Sequence, residues 1–180
     1  MKATGIVRRI DDLGRVVIPK EIRRTMRIRE GDPLEIYTEK DGEVIFKKYS
    51  PMGELSDFAS QICDSLNKTA LSPVAIADRD TVIAVSGIPK RELADKRISQ
   101  EVEQIMEDRH IYQRKQGETV LPVADGADRY GVGVAAPIIS EGDVMGCVIF
   151  LAPEGGKTLG DVECKLAMTV SGFLGKQMES

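Results

Sequence analysis

The stretch Tyr49-Ser50-Pro51-Met52-Gly53-Glu54 interrupts an otherwise steadily patterned chain. Proline removes a backbone donor and restricts the residue before it, and glycine weakens any regular element, so one strand or helix does not run through this point. Before it, apolar residues are β-branched and alternate; after it, they recur with a helical period. The 180 residues are therefore read as two modules, residues 1–50 and 55–180, with a joint at 51–54.

The shorter module is the tighter constraint. From Gly5 to Ile10, Ile6, Arg8 and Ile10 share one face of a short strand and Val7 and Arg9 the other. Asp11–Gly14 supplies a turn, and Arg15–Ile18 is a second strand. Pro19 suits the first position of a short helix running to about Met26. Pro33–Glu39 and Glu43–Tyr49 alternate as strands, and Asp41-Gly42 between them predicts a two-residue type I′ hairpin. A unit below about 60 residues is marginal alone, and this one has neither disulfide nor metal to hold it. Its short strands have unpaired edges that a second copy would complete, so an interleaved homodimer is expected. The alternative is that residues 1–50 pack onto the rest of their own chain.

The longer module opens on an amphipathic helix carrying Leu55, Phe58, Ala59, Ile62, Cys63 and Leu66. Strands follow at Pro73–Asp78 and Val82–Gly87, a helix at 98–109, and strands at Thr119–Val123, Arg129–Ile139 (its end near Pro137) and Asp143–Ala152. A last helix spans Thr158–Met178, with Thr158 and Asp161 in the positions of a capping box. The order predicts an antiparallel sheet flanked by helices, and the fold class of the whole chain is α+β.

Charge divides the same way. The chain totals −4, yet residues 1–50 hold 12 Lys+Arg against 9 Asp+Glu, and the first 29 residues hold 9 against 3. Residues 51–180 carry a net −7. Such asymmetry suggests an anionic partner for the first module. The N-terminus has no apolar core of a signal peptide, and the longest apolar run, Val144–Ala152, is nine residues, against about 20 for a bilayer span. A cytoplasmic, nucleoid-associated protein with no membrane partner is expected.

Thr4–Tyr49, and most specifically "GRVVIPKEIRR", resembles the swapped-hairpin DNA-binding domain of the AbrB family of bacterial transition-state regulators. With the long second half, the chain resembles DNA-binding transcription regulators of spore-forming bacteria, activating or repressing sporulation genes. The resemblance implies an intertwined dimer on double-stranded DNA, with Arg8, Arg15, Arg23 and Arg24 at the family's DNA-contacting positions. Arg9 falls where the family carries another basic residue, and Lys20 at a position that varies. An arginine fork suits phosphate or guanine edges, and two-fold symmetry doubles the four arginines to eight. About six phosphate contacts would give a salt slope of about −5 in log K. With no long recognition helix, DNA shape counts as much as base edges. Asp11 and Asp12 repel phosphate and help aim the contacts.

Tyr130–Leu151 resembles the central hairpin of GAF domains, which implies a sensor holding a small ligand between sheet and loops. The loops at 87–97 and 117–128 offer Arg91, Lys96, Asp125 and Asp128, with Arg129 just beyond, and identify no ligand. The glycines of Gly131–Val134 and of Glu154–Gly156 do not match a phosphate loop. Cys63 and Cys147 lie on apolar stripes, so Cys63, Cys147 and Cys164 read as core residues and not nucleophiles. His110, alone, caps a helix end and builds no metal site. No catalytic residue, metal or cofactor is expected. Stripes on the terminal helices of this module suggest a second self-association and so a homotetramer. Two rivals remain: an antitoxin-like interaction module, and a GAF-type redox enzyme.

Overall fold

In a computed structural model the protein is described over residues 5–153, 155 and 157–179. Glu154 and Gly156, weighed above as part of a phosphate loop, lie outside the described residues, as do residues 1–4. The chain forms two compact units, Met1–Tyr49 and Ser50–Ser180.

Unit 1 contains α1 (Lys20–Met26), β1 (Leu34–Thr38) and β2 (Val44–Lys48). The strands pair antiparallel, with Leu34 opposite Lys48, Ile36 opposite Phe46 and Thr38 opposite Val44. Their turn differs from the expected type I′. That turn needs positive φ at both central residues, and here Gly42 has it (82°) while Asp41 does not. Gly42 N–H donates to Glu39 O, and Glu39 N–H to Glu43 O, which makes a three-residue loop ending in a left-handed glycine. The same device recurs at Asp11–Arg15, closed by Gly14 N–H to Asp11 O and Asp11 N–H to Arg15 O, with Gly14 at φ 76°.

The two strands expected at 5–10 and 15–18 are not formed. A strand exists through the ladder it makes with a neighbour, and the turn at 11–15 brings only its closing pair into register. α1 also starts one residue later than expected. Pro19 is the residue before the helix, extended at ψ 147°, and its carbonyl accepts the Arg23 N–H.

Unit 2 runs α2 (Pro51–Glu54), α3 (Ser56–Ala70), β3 (Val74–Asp78), β4 (Val82–Ser86), a 3-10 turn at Lys90–Glu92, α4 (Gln100–Asp108), β5 (Tyr112–Gln113), β6 (Val132–Ser140), β7 (Asp143–Leu151) and α5 (Asp161–Gln177). The sheet is five-stranded in the order β4-β3-β7-β6-β5, with every adjacent pair antiparallel. Both faces are covered, which is why its central strands read as unbroken apolar runs. Val74, Ile76, Val134, Ile138, Val148 and Phe150 pack against Ala59, Cys63, Leu66 and Leu174 of α3 and α5. On the other face Ala75, Ala77, Ala135, Cys147 and Ile149 meet Val102, Ile105 and Met106 of α4 and the loop residues Leu93, Ile98 and Val123. Fully burying one of the larger of these, a valine, isoleucine or phenylalanine, stabilises by about 1.5–3 kcal/mol.

Several boundaries differ from expectation, each for a local reason. Residues 51–54 form a turn of helix, capped by the Ser50 hydroxyl accepting Gly53 N–H, with Met52 fully buried. Thr119–Val123 makes only the bridge Pro122–Gly131, and the Pro122 carbonyl accepts from Ser99 Oγ, which also caps α4. β6 continues past Pro137 to Ser140 across a register shift at Ile138/Ile139. α5 begins at Asp161, and Glu163, not Asp161, supplies the capping carboxylate, accepting Gly160 N–H at 3.0 Å.

Candidate nucleic-acid interface

The expected DNA-binding residues occupy three consecutive pieces of unit 1. Arg8 and Arg9 lie on the exposed segment 5–10, Arg15 follows the turn, and Lys20, Arg23 and Arg24 are on α1. All six are exposed. α1 ends in Arg23 and Arg24, where the helix dipole favours positive charge, and closes through Arg27 in the left-handed conformation.

Asp11 organises the turn. Its Oδ1 accepts Leu13 N–H (3.0 Å) and Arg15 N–H (2.8 Å), and its Oδ2 accepts Arg15 Nε at 2.9 Å. The Arg15 backbone N–H above all, with its guanidinium and the Leu13 N–H, holds the Asp11 carboxyl below the usual carboxylate range, against a smaller opposing effect of burial. Arg15 thus meets Asp11 through Nε, and its two Nη groups stay outside that bond. The sequence reading took Asp11 as a repulsive guide and missed this positioning role; the signal was an aspartate followed by glycine at the third position and arginine at the fourth.

Arg27 and Arg29 are half-buried, and their backbones are tied into the unit. The Arg27 carbonyl accepts Lys48 Nζ at 3.0 Å, and Arg29 N–H donates to Asp32 Oδ2 at 2.8 Å. Lys47 lies over the Tyr37 ring, 4.6 Å from its centroid.

Unit 2 offers a different chemistry. Arg91, Asp125, Asp128 and Arg129 are exposed and Lys96 half-buried, while the inner side of the loops is filled by Leu93, Ile98, Val123, Ala124 and Ala127. Arg129 stacks on Tyr130 at 5.7 Å. Burial pushes the Cys63 thiol up to about 12 and raises Cys147 further, the opposite of what a nucleophilic thiolate needs. Cys164 is also raised, by burial and then by Asp161 and Glu163. Among the described residues no histidine, cysteine and carboxylate cluster fits a metal ion, and no helix is long and apolar enough to cross a membrane.

Known proteins divide at the same place. Residues 54–179 match the family described as stage V sporulation protein T C-terminal, transcription factor. Residues 7–53 match antidote-toxin recognition MazE, bacterial antitoxin. The stage V sporulation protein T of Bacillus subtilis (strain 168) is 51% identical over 183 residues, 99% of each chain. The transition state regulatory protein AbrB of the same organism is 57% identical over 63 residues, which is 32% of this chain and 65% of that protein. The GAF domain of a phosphoenolpyruvate-protein phosphotransferase from Coxiella burnetii superposes with a TM-score of 0.56 at 12% identity, over 69% of this chain and 82% of that one. At that identity the likeness speaks for fold alone. The α+β reading, an AbrB-type first half and a GAF-like second half, stands.

Proposed function

The chain belongs to the stage V sporulation protein T family of transcription factors, and on that premise we propose that it grips double-stranded DNA through Arg8, Arg9, Arg15, Lys20, Arg23 and Arg24. It is a DNA-binding regulator of sporulation transcription. The observation that carries the residue assignment is the exposure of all six side chains on a stretch holding 9 basic and 3 acidic residues within an acidic chain.

Unit 1 acts as an intertwined homodimer. Val7, Ile10, Leu13, Val17, Ile36 and Val44 are all more than half exposed, and the extended segments 5–10 and 15–18 are strand sequences awaiting a ladder. A second contact, through Val162, Met168 and Phe173 on α5 and the adjoining Phe58 of α3, makes the assembly a tetramer with two DNA-binding heads. The GAF-like unit holds a small-molecule signal, and the protein works in the cytoplasm on the nucleoid. The antitoxin alternative draws on the match at 7–53, but the folded module at 54–179 matches a transcription-factor description.

Fluorescence anisotropy of a labelled duplex, titrated at several salt concentrations, tests this with the full chain. The wild type is expected to show a log–log slope of about −5, and Arg15→Ala with Arg23→Ala is expected to lose most of the affinity and flatten the slope. Equal binding by both proteins overturns the assignment.

A further inference from the structure

Arg114 is the one buried cation among the described residues of unit 2, 7% exposed. It follows β5 directly, and its backbone N–H donates to Gly133 O on β6, which pins it to the edge of the sheet. Its Nε and Nη2 both donate to one acceptor, the Glu118 backbone carbonyl, at 3.3 and 3.1 Å. Nη1 is buried and has no hydrogen-bond partner among the described residues. A guanidinium keeps its charge at any physiological pH, and burying one without a counter-charge is costly.

The obvious counter-charge is turned away. The Glu118 carboxylate curls back on its own loop, Oε2 accepting Lys115 N–H at 3.0 Å. It also lies beside Tyr112. Burial raises the Tyr112 hydroxyl above its ordinary value, Glu118 adds to the rise, and Arg114 opposes it. Residues 115–120 are all exposed and form a flap over the guanidinium. Val120 presses onto Gly131, where a Cβ would meet its Cγ1 at 1.8 Å, so a larger residue there would displace Val120. Tyr112 and Leu121, both half-buried, pack against the apolar cluster on this face of the sheet, to which the fully buried Val132 and Ala135 belong.

We propose that Arg114 is the anion-reading residue of a small-molecule site on unit 2, and that its ligand is a small organic monoacid whose carboxylate meets Nη1 while an aliphatic tail lies against the half-buried Tyr112 and Leu121. This rests on the reading of unit 2 as a ligand-holding module and names the class of ligand. One buried positive charge balances one negative charge; a phosphate dianion would leave a charge over beside the Glu118 carboxylate. A carboxylate from a second copy is the rival source.

The test uses the full-length protein with hexanoate as probe and hexanamide as its uncharged counterpart. Hexanoate is expected to raise Tm by several degrees at about a hundredfold above its dissociation constant, and hexanamide to leave it unchanged. Arg114→Gln is expected to abolish the response, and Arg114→Lys, which keeps the charge and loses the fork, to weaken binding at least tenfold. An equal response to both probes, a response retained in Arg114→Gln, or none in the wild type overturns the proposal. Should Arg114→Gln fail to fold, the side-chain 15N resonances of Arg114 in the wild type decide: they must move with hexanoate and not with hexanamide. Light scattering covers the rival source, since a loss of assembly mass in Arg114→Gln assigns the guanidinium to a second copy and overturns the ligand site. Anisotropy on the same samples separates this inference from the sensor reading: hexanoate binding without a change in DNA affinity upholds the site and refutes sensing, whereas no hexanoate response with intact DNA binding refutes the site alone.

Discussion

Val134 and Val7 are the same side chain in one chain, yet the first is fully buried and the second 89% exposed. The contrast holds throughout. Proline aside, every buried aliphatic or aromatic residue among those described lies between Met52 and Leu174, whereas unit 1, with its own valines and isoleucines, buries none of them. Unit 2 meets the hydrophobic requirement within its sheet and helices. Unit 1 carries the apolar residues of a folded domain without the partners to cover them, and surrounds them with arginines. Burial that is complete in one chain makes a scaffold; burial left open makes a surface whose stability depends on protein concentration.

The sharpest break in that comparison is Phe150→Ala, which opens a cavity in the core of unit 2. It is expected to cost about 3–5 kcal/mol, read by urea denaturation, with the DNA affinity of the protein that remains folded unchanged. Next is Ile36→Ser in unit 1. On a true surface such a change lies within about 0.5 kcal/mol; covered by a second copy, it costs about 2 kcal/mol, and the loss grows on dilution. Thermal melts at two protein concentrations a hundredfold apart distinguish these, and a concentration-independent shift near zero would return residues 1–49 to monomer status. Arg23→Ala should leave both melts alone and lower the salt slope of DNA binding by about 2, one contact per protomer. The smallest effect belongs to Asp11. Its carboxyl is depressed in the folded protein, so its contribution is present above its unfolded value near 3.8 and is lost as pH falls through the lower folded value. Carbon-detected titration of Asp11 should show that midpoint moving up toward the ordinary value in Arg15→Ala.

What was readable in the sequence followed the completeness of burial. Along α3, α4, α5 and the strands β3, β4, β6 and β7, the apolar period reports a neighbour that is present, and periodicity found each of them. At 5–10 and 15–18 the same alternation reports a neighbour that the chain does not supply, so the pattern was real and the strands are not formed. Local chemistry misled where two solutions share a dipeptide: Asp-Gly serves a two-residue turn and equally a three-residue loop, and only the φ of Asp41 separates them. β5 spans two residues, too few to show any period. The six basic candidates could be read from composition and motif because exposure is what charged residues do by default. Arg114 could not, because its partners Gly133 and Glu118 are brought to it only by the folded sheet edge.

The first turn of unit 2 bears on how the chain carries load. Met52 is sunk in the core, and Ser50 Oγ donates to Asp78 Oδ2 at 2.9 Å while the other oxygen of Asp78 holds Asp80 N–H and Thr81 N–H. A tension applied at Tyr49 therefore stops at a rivet riveted into the β3–β4 corner before it reaches α3. Pulled from its amino end, the molecule should yield first at the two-stranded hairpin of unit 1, one hydrogen bond at a time, while the five-stranded sheet behind the rivet keeps its length.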